Sequence, residues 1–210
     1  MPVKILVVDE HPVVHGGIVL ESEKIDVKVL GHVTALDQLP ERMRELQPDV
    51  LVTEVRMGGH DALKILEKLR EEFPDCEFVA FSSQTNPTHI ARAAALGCHD
   101  YILKTSSCSV LMDSVVSAAS GNPTRTDSLL LTTKARMQRK RGTEDLDIPL
   151  TNREMQVLRH VSLGLSNREI GKSLGISVET VKEHVQNILR KLDVNDRTQA
   201  AVWAVKGGLV

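Results

Sequence analysis

At 210 residues the chain has room for one large or two ordinary domains, and 41% hydrophobic with 26% charged residues is ordinary for a soluble globular protein. No apolar run approaches the ~18 residues of a membrane span, and the start Met1-Pro2-Val3-Lys4 lacks a signal-peptide layout. The net charge of −2 hides a division: residues 1–121 hold 11 Lys and Arg against 18 Asp and Glu (net −7), residues 122–149 hold 6 against 4 (net +2), and residues 150–210 hold 9 against 6 (net +3).

Ile5-Leu6-Val7-Val8 is a continuous apolar run, the pattern of a strand buried in a parallel sheet, and it ends in Asp9-Glu10. Pro12 then opens a helix reaching about Glu23, since proline is tolerated in the first turn. Gly16 and Gly17 inside that helix cost ~1 kcal/mol each relative to alanine, and nothing in the sequence accounts for them. Strand and helix then alternate: strand 27–33, helix 40–46, strand 50–55, helix 62–73, strand 78–82, helix 88–96, strand 101–103 and helix 109–119. Five strands alternating with five helices predict an α/β fold, a doubly wound five-stranded parallel sheet with right-handed crossovers. The working site of such a sheet lies at the carboxyl ends of its strands. The polar residues there are Asp9 and Glu10, Glu54, Ser82 and Lys104. Three carboxylates brought together repel one another unless a divalent cation or a lysine neutralises them. Cys76, Cys98 and Cys108 have neither paired nor metal-ligand spacing, so reduced thiols in a cytoplasmic protein are expected.

This constellation resembles the receiver domain of two-component response regulators. The resemblance implies that Asp9 and Glu10 hold Mg²⁺, that Glu54 stands at the phospho-acceptor position, and that Ser82 and Lys104 contact the phosphoryl group. Tyr101 matches the aromatic switch position of that family. There is one important departure, because Glu54 stands where the family has aspartate. In the same loop Met57-Gly58 replaces the usual Met-Pro, and Ala62 a usual glycine. These changes question the phosphorylation chemistry and leave the fold untouched. A weak Mg²⁺ site at Asp9, Glu10 and Glu54 is then the only cofactor in prospect, none is required, and a partner sensor kinase is in doubt.

Gly121-Asn122-Pro123 closes a first domain at residues 1–121. Residues 122–146 have linker composition, with a basic run from Lys134 to Arg141 and the pattern of a short helix over 129–139. Residues 147–210 are read as a small all-α domain of four helices. Thr151 with Glu154, and Ser166 with Glu169, are capping boxes, and Asp196 with Gln199 is a looser version. Gly164 and Gly175 fall where two helices stop. The predicted helices are 152–163, 167–174, 178–192 and 197–206. The tight turn Gly175-Ile176-Ser177 joins the second to the third, as a helix-turn-helix requires. Val178, Val181, Val185, Ile188 and Leu192 form an apolar stripe on the third, opposite Glu179, Lys182, Glu183, Gln186, Asn187 and Arg190.

The segments Leu150–Glu154, Gly164–Ile170, Leu174–Ser177, Thr180–Val185 and Arg190–Ala201 closely resemble the LuxR-type DNA-binding domain, so the chain as a whole is similar to NarL/FixJ response regulators. The resemblance implies double-stranded DNA as partner. Lys182 and Gln186, one turn apart near the start of the recognition helix, suit guanine and adenine edges, with Glu183 beside them and Thr180 and Asn187 on the same helix. Arg168, Arg190 and Lys191 are assigned to the DNA backbone. The last helix is more apolar than its small domain needs; the resemblance implies a homodimer contact at Ala201, Val202, Trp203 and Val205, and burial inside the monomer is the alternative. The expectation is a cytoplasmic DNA-binding transcription regulator, not an enzyme and without a membrane partner, that works without phosphorylation of its receiver. The alternative is a Mg²⁺-dependent phosphotransfer receiver of a phosphorelay, against which Glu54 argues.

Overall fold

The computed structural model describes residues 1–138 and 150–209, so residues 139–141 of the basic run and the first three residues assigned to the second domain lie outside it. The chain divides into two compact units, Met1–Thr85 with Leu96–Leu131, and Asn86–Ala95 with Thr132–Val210. No helix among the described residues is long and apolar enough to cross a membrane.

In the first unit the strands are β1 (Val3–Val8), β2 (Val27–Val33), β3 (Val50–Thr53), the short β4 (Arg56–Met57) and β5 (His60–Asp61), then β6 (Glu77–Ser82) and β7 (Asp100–Leu103). Its helices are α1 (Pro12–Ser22), α2 (Leu39–Leu46), α3 (Leu63–Glu72) and α5 (Cys108–Ala119); α4 (Pro87–Ala95) follows β6 in sequence and groups with the second unit. Five strands form one parallel sheet in the order β2-β1-β3-β6-β7, the doubly wound architecture predicted. Ile5, Leu6, Val7 and Val8 are all buried, because β1 lies inside the sheet with apolar cover on both faces. One face packs Ile5, Val7, Val52 and Val79 against Ile18 of α1 and Leu111 and Val115 of α5. Each fully buried aliphatic side chain contributes at most ~1.5–3 kcal/mol. Register places the site. Val8 pairs with Thr53, Thr53 with Ala80 and Ser82 with Leu103, so Asp9, Glu54, Ser82 and Lys104 emerge at one edge of the sheet.

Two features of this unit were not predicted. Residues 56–61 form an antiparallel hairpin, with Arg56 opposite Asp61 and Met57 opposite His60. Gly58 (φ 54°) and Gly59 (φ 79°) turn it in the left-handed region that side-chain-bearing residues avoid. The segment 122–131, given linker composition above, packs onto the sheet's end. Thr124 Oγ1 donates to the His99 carbonyl (2.6 Å), and Ser128 Oγ and Arg125 Nε donate to the Asp100 carboxylate (2.5 and 3.1 Å). Asp100 is fully buried, and a buried carboxylate is tolerated only when paired and hydrogen-bonded. Leu130, at the start of α6 (Leu129–Gln138), is buried as well.

The second unit contains α7 (Asn152–Ser162), α8 (Asn167–Leu174), α9 (Val178–Leu192) and α10 (Arg197–Lys206). Both capping boxes form: the side chains of Thr151 and Ser166 accept from the N–H of Glu154 and Glu169, whose carboxylates accept from the cap N–H groups in return. Leu158, Val161, Ile170, Val181, Ile188, Ala200 and Ala204 make its core, together with Ala91 of α4. The α8–α9 turn depends on two glycines. Gly175 caps α8 at φ 65°, and a Cβ on Gly171 would lie 2.7 Å from the Ile176 carbonyl oxygen. One expectation is corrected. Val178, placed on the inward stripe by its spacing, is 39% exposed, whereas Val181 is 0% and Ile188 1% exposed.

Candidate functional site

Lys104 is the centre of the site at the strand ends. Its Nζ lies 2.5 Å from Asp9 Oδ2 and 2.7 Å from Glu54 Oε2, with the lysine side chain 15% exposed and both carboxylates nearly buried. Glu54 Oε1 accepts from Ser82 Oγ (2.5 Å) and from the Val55 N–H (2.7 Å), and Oε2 accepts from the Ser83 N–H (3.3 Å). The glutamate is long enough to touch Ser82 and Lys104 at once, the two residues assigned above to a phosphoryl group. Burial opposes the charge on Lys104, but its hydrogen bonds to Asp9 and Glu54 outweigh that cost and hold its pKa above the ordinary lysine value.

The remaining residues are arranged as follows. Asp9 Oδ1 accepts from the backbone N–H of His11 and lies 3.0 Å from its Nδ1. Glu10 turns away, its carboxylate accepting from the Gly58 N–H at 2.9 Å. The three carboxylates expected around Mg²⁺, Asp9, Glu10 and Glu54, therefore do not converge. Two of them share an ammonium instead, and among the described residues no group of three His, Cys, Asp or Glu is placed to hold a metal ion. Tyr101 is 1% exposed, donates its hydroxyl to the Gln84 carbonyl (2.8 Å), and has its pKa pushed up to about 12 by burial. The contributions of the His11, Val55 and Ser83 backbone N–H groups carried no sequence signal, since every residue here has one.

The second site is the outward face of α9. Lys182, Glu183, Gln186 and Arg190 are exposed there, with Thr180 and Asn187 half-buried beside them, and Arg168 is exposed on α8. Lys182 Nζ lies 2.8 Å from Glu179 Oε1, and Arg190 donates to Asn187 Oδ1 at 3.0 Å, both on the surface. Such exposed pairs are worth ~0–1 kcal/mol, so another acceptor replaces them at little cost. Lys191 differs from the rest. Its Nζ is bound to Glu154 Oε2 (2.7 Å), the capping carboxylate of α7, so it ties the end of α9 to the start of α7. Sequence reasoning missed that tie, because nothing in the spacing of 154 and 191 signals it. An open recess of about 390 Å³ lies at the α8–α9 turn, with Arg168, Lys172, Ser177 and Val178 on its rim. On α10, Val202 (48%) and Val205 (56%) are exposed, while Ala201 and Trp203 are half-buried against the unit's own core.

Comparison with known proteins covers both sites. The model of the response regulator receiver domain matches residues 5–116, and that of bacterial regulatory proteins of the luxR family matches residues 148–204. The response regulator protein VraR of Staphylococcus saprophyticus is 32% identical over 211 aligned residues, covering all of both chains, and VraR of Staphylococcus aureus is 31% identical over the same span. Among solved structures, the RcsB response regulator of Salmonella typhimurium matches with a TM-score of 0.58 at 22% identity, covering 97% of this chain and 98% of that one. A structure of two RcsB dimers bound to two parallel DNAs matches at 0.59, covering 98% of each chain. The response regulator ChrA of a heme-sensing two-component system matches at 0.53 and 26% identity, covering 100% of this chain and 99% of that one.

Proposed function

The chain belongs to the response regulators that join a receiver domain to a luxR-type DNA-binding domain, and we propose that it regulates transcription without phosphorylation of its receiver. The observation that carries this reading is the ammonium of Lys104, held between Glu54 and Asp9 while Ser82 donates to Glu54. In-line phosphoryl transfer depends on positioning, and a misplacement of ~1 Å can cost about 10²-fold. Glu54 carries its carboxylate one methylene further than aspartate would, to donors that a phosphoryl group would otherwise use. The resulting network imitates the phosphorylated arrangement in part, with one negative charge against the ~1.5–2 of a phosphoryl group.

DNA is read by α9, with Lys182 and Gln186 on base edges, Glu183, Thr180 and Asn187 beside them, and Arg168 and Arg190 on phosphates. Two protomers pair through Val202 and Val205 of α10, because one domain of this size reads too few bases for a genomic site and a two-fold pair reads two half-sites. No cofactor is needed, no chemical reaction is catalysed, and the protein works in the cytoplasm, where its DNA is. The test is incubation of the full chain with acetyl phosphate and Mg²⁺, followed by intact-mass analysis and DNA titration. The expected result is no added phosphate and unchanged affinity. A stoichiometric adduct with tighter DNA binding overturns the reading in favour of the phosphorelay receiver.

A further inference from the structure

The exposed valine at the start of α9 lies outside the unit's apolar core. The cap is supplied by Ser177, whose hydroxyl accepts from the Thr180 N–H at 3.0 Å, so position 178 is not needed for capping. The core is supplied by Ile176, packed against it from the turn, and by Val181 one turn further on. Val178 is left 39% exposed, with the polar side chains of Ser177 and Glu179 as its chain neighbours. A β-branched residue also has lower helix propensity than the alternatives, so local stability does not favour it.

Position on the helix supplies a task. Val178 and Lys182 are four residues apart, hence neighbours on one side of α9 and one above the other along its axis. In a helix-turn-helix the first turns of the recognition helix meet base edges in the major groove. The bulkiest apolar group that a base pair presents there is the C5-methyl of thymine, where cytosine has only a C5–H, and the groups beside it are hydrogen-bond donors and acceptors.

We propose that Val178 is a specificity-determining residue that contacts the C5-methyl of a thymine in the major groove, one step along from the base edge met by Lys182. This rests on the DNA-reading role of α9 proposed above. Val178 supplies no hydrogen bond, so its discrimination comes wholly from burying the methyl group and from leaving the polar edge of a wrong base unsatisfied. The loss of one buried methyl is worth about fourfold in affinity.

The full-length protein is used to select a duplex from a random-sequence pool, and each thymine of that duplex is replaced in turn by deoxyuridine, which removes only the methyl. The wild type is expected to lose about fourfold at one thymine per half-site. With Val178→Ala the penalty at that position should shrink, while penalties at other thymines persist. Val178→Thr, nearly the same shape, should keep part of the preference and guards against a folding defect in the alanine variant. If no thymine shows a methyl effect that depends on residue 178, or if Val178→Ala weakens all duplexes equally, the proposal fails. Failure of the wild type to select any duplex would instead overturn the DNA-reading role of α9, so the two failures are distinguishable.

Discussion

Replacing Lys104 by methionine removes the positive charge from the receiver site and keeps most of the side chain's bulk. Asp9 and Glu54, with side chains 2% and 5% exposed, would lose their shared ammonium at 2.5 and 2.7 Å and face each other without it. Breaking a buried pair from one side costs about 3–5 kcal/mol, since the charge left behind has lost both its partner and its water. That figure applies with little discount, because Lys104 itself is only 15% exposed. The loss is read by urea unfolding. The chain has a single tyrosine, Tyr101 in the first unit, and a single tryptophan, Trp203 in the second, so their emissions report the two units separately. The tyrosine transition should move to lower urea and the tryptophan transition should stay. The Lys104 pKa is raised in the folded state, so its contribution is complete below the unfolded-state value of 10.5 and disappears as pH climbs through the higher folded-state value. The wild type and Lys104→Met should therefore differ fully at neutral pH and converge only in strong alkali. A variant within about 1 kcal/mol of the wild type at neutral pH would show that Lys104 is not the counter-ion of this site.

Other outcomes follow from the same geometry. Glu54→Asp withdraws the carboxylate from Ser82 and Lys104 and should restore some phosphate uptake from acetyl phosphate and Mg²⁺; a variant as inert as the wild type would place the block elsewhere. Val202→Asp puts a charge on the exposed apolar side of α10 and should reduce the protein in the DNA complex from two protomers to one and weaken binding at least tenfold, with analytical ultracentrifugation as the check. His160 is fully buried, 2.7 Å from the Gln156 carbonyl oxygen and 2.9 Å from Ser173 Oγ, and burial lowers its pKa. The unfolded chain then takes up the proton first, so the tryptophan transition should weaken as pH falls below 6.5, and a flat profile there would contradict the assignment.

The sheet was legible because Ile5 to Val8, Val50 to Val52 and Phe78 to Phe81 are apolar runs whose ends carry the site's polar residues; a parallel sheet leaves such runs few alternatives. The helices of the second unit were legible through their caps, which are local signals and formed as written. What stayed hidden was non-local or depended on a side chain's direction. Residues 122–131 look like linker by composition and are held by one buried carboxylate, Asp100, which nothing adjacent in sequence announces. Val178 satisfies the helical period and still misses the core, because Ile176 of the preceding turn packs there instead. Glu10 was grouped with Asp9 by adjacency, yet consecutive residues at a strand end point in different directions, and it bonds Gly58.

Charge balance at the receiver site supports the first of the two readings. Two nearly buried carboxylates need compensation, and Lys104, the Ser82 hydroxyl and the N–H groups of His11, Val55 and Ser83 already provide it. A divalent cation entering the site would have to displace the ammonium from both carboxylates and draw Glu10 from Gly58. A phosphoryl group would have to displace Glu54's own oxygens from Ser82 and Lys104 while adding negative charge beside Asp9. Each ligand must first break contacts that hold this arrangement together, which lowers its net binding energy. An aspartate at this position would hold its carboxylate one methylene further back from Ser82 and Lys104. The single methylene of Glu54 thus brings one carboxylate within reach of Ser82 and Lys104 together, and under the proposed function this contact stands where a phosphoryl group would otherwise bind.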